Sequence, residues 1–147
     1  MGGSWGYRRF VLHQAHLAAE AGGVEAFLVG SEMRGLTRVR DAAGAYPFVE
    51  ALISLAAEVK AILPAAKVSY AADWTEYGAY VPGDGSGGVL FPLDALWADE
   101  NIDYVGIDWY TPMGDWRGGD QHLYPRAAYR GAAAPAHPAS QVAAGET

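Results

Sequence analysis

The apolar residues of this chain change their period several times, and each change marks an element. From Tyr7 to Ala21 they recur at helical spacing: Tyr7, Val11, Ala15, Ala18 and Ala19 share a face, with Leu12 beside them. Gly22-Gly23 predicts the stop. Val24 to Gly30 is a short unbroken apolar run, the pattern of a strand covered on both faces in a parallel sheet. Arg34 to Tyr46 is polar and reads as a loop. Pro47 then suits a first helical turn. Phe48, Val49, Leu52, Ile53, Ala56, Val59, Ile62 and Leu63 predict a strongly amphipathic helix that Pro64 ends. Lys67 to Ala72 predicts a second strand, Gly78 to Pro92 a glycine-rich loop, "LDALWADE" a short helix, and Asp103 to Asp108 a third strand.

Strands alternating with helices require parallel pairing through crossover connections, so the fold class is α/β. A doubly wound sheet and a (β/α) barrel both satisfy this order. From Tyr124 the pattern stops. "YPRAAYRGAAAPAHPASQVAAGET" holds one Val and no Leu, Ile, Phe, Met or Trp, too little to join a core. The expected organisation is a barrel-type segment over 1–123 and an Ala/Pro-rich tail over 124–147. That tail is expected to be a linker, disordered, or a non-native end of the reading frame.

Composition narrows the function classes. The net charge of −7 argues against a nucleic-acid surface, which needs clustered Lys and Arg. There is no cysteine, so disulfides and thiolate metal sites are excluded. No window approaches the roughly 18 consecutive apolar residues of a membrane span. "MGGSWGYRRF" lacks the basic-then-apolar pattern of an export signal.

The candidate chemistry lies at the strand ends. By strict alternation, Ala26, Leu28, Gly30 and Glu32 share one face, as do Ser69, Ala71 and Asp73, and Tyr104, Gly106 and Asp108. Each predicted strand thus closes on an acid, on the face richer in small residues, at the end where parallel βα folds carry their sites. Trp74 and Tyr77 follow Asp73, and Trp109 and Tyr110 follow Asp108, with Trp116 further on. Carboxylates accept hydrogen bonds from hydroxyls, and flat rings cover the apolar faces of sugars, so the set suits a glycan. Glu76, in the loop after Trp74, is placed to reach the same cleft. Glycoside hydrolysis needs two carboxyl groups flanking one bond, one of them protonated. Glu32 ends an apolar run and is the candidate acid, since apolar surroundings favour the protonated form.

Other signals are weaker. "GDGSGG", Gly83 to Gly88, fits a dinucleotide fingerprint but lacks the strand before it and the long helix after it. His13 and His16 sit one helical turn apart without an acidic partner. Arg34, Arg38 and Arg40 either pair with Asp41 or line the cleft. A third class of function uses Asp73, Glu76 and Asp108 as oxygen ligands for Mg²⁺ or Ca²⁺.

Three stretches carry a family resemblance: "AGGVEAFLVGSEMRGLTRVRD", "KVSYAADWTEYGAYVPGDGSGGVLFPLDALWAD" and "IDYVGIDWYTPMGDWRGG". Together they resemble the TIM-barrel-like, glycoside-hydrolase-like domain of the tail-tip baseplate protein of gene transfer agents and related tailed phages, from about Trp5 to Gln121. The resemblance implies a (β/α)₈ barrel of which this chain holds about strands four to six. It implies an acid/base after strand four, usually as Asn-Glu, where Glu32 falls, and a nucleophilic Glu after strand seven. Ser31 stands where the asparagine is usual. Asp73, Trp74, Glu76, Tyr77, Asp108, Trp109, Tyr110 and Arg34 become substrate-binding candidates. The implied partners are a polysaccharide or host-surface glycan and other tail-tip proteins, with no cofactor and no metal. A non-catalytic structural or adhesive tail-tip module is the alternative. A whole barrel takes roughly 250 residues, so the second carboxylate is expected beyond this chain, and the segment is expected to be inactive alone.

Overall fold

The structure, a computed structural model, describes residues 6–110. The chain divides into two compact units, Met1–Trp109 and Tyr110–Thr147, and every element named below belongs to the first. The expected boundary at 123/124, the character expected of 124–147 and Trp116 lie outside the described residues.

Among the described residues, four helices and three strands run in the order α1 (Tyr7–Glu20), β1 (Ala26–Ser31), α2 (Arg34–Thr37), α3 (Pro47–Ile62), β2 (Lys67–Asp73), α4 (Asp94–Trp97) and β3 (Gly106–Asp108), which apart from α2 is the predicted order. The strands form one parallel sheet in the order β1-β2-β3. This is an α/β arrangement with crossover connections, consistent with part of a TIM-barrel-like domain.

The core explains the order. α3 starts with Pro47 at its first turn and buries Val49, Leu52, Leu55, Ala56 and Val59, a stripe at helical spacing. That stripe meets Val29 of β1 and Val68, Tyr70 and Ala72 of β2, with Val11 and Ala15 of α1 and Leu96 of α4 in the same cluster. β2 is the central strand and is buried from Val68 to Ala72. Arg8 of α1 and Glu58 of α3 form a two-pronged ion pair across the helix interface. Among the described residues no helix is long and apolar enough to cross a membrane.

Two local differences from the expected elements have identifiable causes. The loop after β1 contains α2, a single helical turn too short to show periodicity. The third strand is shorter than Asp103 to Asp108, because only Gly106 to Asp108 pair in register with β2, while the residues before them reach β2 through a single backbone bond, from the Asp103 amide to the Val68 carbonyl at 2.8 Å, and through side chains. Asp103 accepts the Val68 amide at 2.6 Å and pairs with Lys60 at 2.6 Å, and the Tyr104 carbonyl accepts the Ser69 hydroxyl at 2.5 Å. Val105, just before this edge strand, and Ile107, within it, stay 50% and 39% exposed. Gly106 is required where β3 joins the sheet, since a Cβ there would lie 2.5 Å from the Tyr70 carbonyl oxygen.

Asp103 gives the fold an acid-sensitive clasp. The Lys60 ammonium, then the Val68 amide, lower its pKa from 3.8 to about 2. A depressed folded-state pKa means the stabilisation is present above the unfolded value and lost below it. Its contribution is therefore complete above pH 3.8 and disappears as pH falls to about 2. Asp103→Asn is expected to lower stability at neutral pH and to flatten the acid arm of the unfolding profile in that window, as read by circular dichroism.

Candidate functional site

The strand ends converge as parallel βα folds dictate, with one change of partner. β1 and β2 run in register through Leu28 opposite Ser69, and the next pair is Ser31 opposite Ala71. β1 thus carries one extra residue, a bulge, and alternation inverts beyond it. Strict parity had put Glu32 on the face of Asp73 and Asp108. The bulge gives that place to Ser31, whose hydroxyl donates to Asp108 Oδ2 at 2.9 Å. That bond spans the width of β2, where Ala71, opposite Ser31, offers only a methyl group. Asp73 and Asp108 are themselves register partners.

Glu32 lies just past β1, exposed, with φ of 54°. It is the one non-glycine with positive φ among the described residues, in the left-handed region that side chains with a Cβ avoid. Its amide donates to the Ala71 carbonyl at 2.8 Å. The apolar surroundings expected for Glu32 are therefore not what β1 supplies. The bulge turns the chain outward before the carboxylate is reached.

Asp73 closes β2. Its Oδ1 accepts the Thr75 amide at 2.7 Å and the Thr75 hydroxyl. These bonds, with smaller contributions from Arg34 and Arg38, hold its carboxyl below the usual carboxylate range. Arg34, at the start of α2, donates from Nη1 to Thr75 Oγ1 at 2.5 Å. Arg38 donates to the Thr75 carbonyl at 2.7 Å and stacks 4.3 Å over the Tyr80 ring. Two of the three loop arginines thus line the β2 end. Asp41 instead caps its own turn through the Ala43 and Ala45 amides.

The aromatic residues divide. Trp74 and Trp109 meet edge to face, with centroids 5.9 Å apart at 69°, and are 39% and 60% exposed. The Trp74 amide donates to the Asp108 carbonyl at 3.1 Å, which ties the pair to both acids. Tyr77 is exposed and its carbonyl accepts the Trp97 indole at 3.2 Å. Tyr110 is exposed and opens the second unit.

Glu76 does not lie in an open cleft. It is 2% exposed. Thr37 Oγ1 donates to its Oε1 at 2.6 Å, the Tyr70 hydroxyl donates to the same oxygen at 3.0 Å, and the Asp73 amide donates to Oε2 at 3.2 Å. Burial, above all, pushes the Tyr70 phenol well above its ordinary value. With Glu76 so engaged, the cation set of Asp73, Glu76 and Asp108 does not assemble, and among the described residues no three His, Asp or Glu side chains are placed to hold a metal ion.

Thr37, Tyr70 and Thr75 were missed as site residues by sequence reasoning, and Ser31 was singled out only for standing at the family's asparagine position. Thr75 had a signal, since Asp73-Trp74-Thr75 is an Asx-turn spacing. Thr37 and Tyr70 had none, because each joins the site through a contact distant in the chain. The discounted motifs stay outside. His13 and His16 are exposed on α1, and the Gly83–Gly88 loop is held by Asp84 on the Ser86 amide at 2.9 Å, with only the short α4 after it.

In sequence comparison, the family described as the GTA TIM-barrel-like domain, from gene transfer agents, matches residues 5–147. The match runs past Gln121, where the motif resemblance ends. No curated protein matches the chain.

Proposed function

The chain belongs to the GTA TIM-barrel-like domain family, and from that premise we propose that it is the glycan-engaging segment of a gene transfer agent tail-tip protein. In this reading β1, β2 and β3 are strands four, five and six of a larger glycoside-hydrolase-like barrel. Glu32 is the acid/base, and Asp73, Asp108 and Arg34 orient sugar hydroxyls of a cell-envelope polysaccharide. The observation that carries the reading is the exposed edge-to-face pair of Trp74 and Trp109 beside Asp73 and Asp108. Large exposed aromatics next to acceptor-only groups suit a ligand with apolar ring faces and a rim of hydroxyl donors.

Trp109→Ala tests it. Its ring is 60% exposed and, among the described residues, its one ring contact is the edge-to-face pair with Trp74, so its removal is expected to lower stability by only about 0.5–1.5 kcal/mol. Affinity for purified bacterial envelope polysaccharide, measured by calorimetry, is expected to fall roughly tenfold or more, the loss typical of a central aromatic contact. An unchanged affinity overturns the assignment.

One observation favours a second reading, a cleft that binds without cleaving. Ser31, in the place of the superfamily's asparagine, gives its hydroxyl to Asp108 and so is not directed to a sugar. Under that reading the polysaccharide binds with Trp109-dependent affinity and the full-length parent protein forms no new reducing ends.

A further inference from the structure

Glu32 keeps a conformation that disfavours any residue with a Cβ, and the structure shows what holds it there. The φ and ψ angles of a residue are the relative orientation of its two flanking peptide groups. Both flanking groups of Glu32 are pinned. The preceding peptide donates its N–H, that of Glu32, to the Ala71 carbonyl at 2.8 Å. The following peptide donates its N–H, that of Met33, to the Tyr70 hydroxyl at 2.6 Å.

The polarity of the second contact is fixed by valence. A peptide N–H can only donate, a carboxylate can only accept, and a phenol has one proton. The order is therefore Met33 N–H to Tyr70 O–H to Glu76 Oε1, the last step at 3.0 Å. Glu76 also accepts the Thr37 hydroxyl at 2.6 Å. One buried carboxylate thus grips both ends of the Met33–Thr37 turn, the near end through Tyr70 and the far end directly. The Tyr70 ring itself is seated against the backbone of β1. A Cβ on Gly30 would lie 3.1 Å from its Cε2, so glycine there lets the ring approach.

We propose that Tyr70 and Glu76 are positioning residues for Glu32, forming a buried relay that holds it in its left-handed conformation just past the end of β1. The catalytic meaning of this relay rests on the role given to Glu32 above. Its existence does not, and it is tested without any glycan.

The test is a double-mutant cycle read by urea unfolding of the full chain. Glu32→Gly removes the left-handed penalty and is expected to raise the folding equilibrium constant roughly fivefold. In a Tyr70→Phe background the Met33 amide is released, the turn relaxes, and the same substitution is expected to raise it less than about twofold. A Tyr70 hydroxyl that served stability alone would leave the Glu32→Gly gain equal in the two backgrounds, and that result overturns the proposal. Amide exchange at Met33 gives a second measurement should Tyr70→Phe not fold. In Glu76→Gln a neutral amide oxygen replaces the charged acceptor of the Tyr70 hydroxyl, so exchange at Met33 is expected to speed up roughly threefold relative to the unaltered chain, and unchanged protection overturns the relay. Failure of the glycan reading appears instead in the Trp109→Ala affinity, which neither measurement touches.

Discussion

Glu76→Ala is expected to lower the unfolding free energy by about 3–5 kcal/mol, the cost of deleting one partner from a buried charged network. The reason is what remains behind. The Thr37 hydroxyl, the Tyr70 hydroxyl and the Asp73 amide all donate to this carboxylate. At 2% exposure the site offers water no ready way in as a replacement acceptor. Each orphaned donor costs about 1–3 kcal/mol, partly recovered as the turn loosens, and the lost side chain leaves a cavity as well. Against a total stability of about 5–15 kcal/mol for a domain, this is one of the most damaging single substitutions available. Glu76→Gln is expected to cost less, about 1–2 kcal/mol. Its amide oxygen still serves Thr37 and Tyr70, while its NH₂ faces the Asp73 N–H, donor against donor. Urea unfolding followed by tryptophan fluorescence measures both. A Glu76→Ala cost under about 1 kcal/mol would mean that the network is not closed to water.

The second large effect is on chemistry. Under the glycoside-hydrolase reading, Glu32→Gln in the full-length parent protein, which supplies the second carboxylate, is expected to slow release of reducing ends from envelope polysaccharide by roughly 10²–10⁴-fold, the usual contribution of a general acid. Stability should stay within about 0.5 kcal/mol, because Glu32 is exposed and glutamine bears the same backbone penalty. The comparison of the two glutamates is informative because the substitution is identical. Glu76→Gln acts on stability through buried donors, and Glu32→Gln acts on turnover at a solvent-facing end. Equal cleavage by wild type and Glu32→Gln would remove Glu32 from the acid/base role. Cleavage by neither, with Trp109-dependent binding intact, would favour the binding-only cleft.

The unequal fate of the two glutamates also shows where local pattern stops carrying information. Both occur near strand ends, both stand next to apolar or aromatic residues, and by pattern both faced a cleft. Glu32 was expected in apolar surroundings and is exposed. Glu76 was expected to reach into the cleft and is buried. The partner that buries Glu76 most directly, Thr37, lies 39 residues earlier in the chain, so nothing in the window around Glu76 announces it. The loop arginines show the same limit. Their clustering was legible, whereas their shared dependence on Thr75 was not, because α2 and the β2 end meet only when the sheet forms.

What the sequence determined by itself is the α/β order, the amphipathic stripe of α3, the apolar run of β2 and the presence of acids and tryptophans at the strand ends. These are periodicities and spacings within single segments, and backbone geometry reads them directly. The tertiary structure alone decided that Ser31 and not Glu32 shares a face with Asp108, that Glu32 takes a left-handed conformation, and that Glu76 supports the site from beneath. The physical reason for the first two is one extra residue in β1, and Glu76 is placed by a partner 39 residues away in the chain. A bulge is defined only against the strand it pairs with, and a single-residue shift in register exchanges the face of every side chain beyond it.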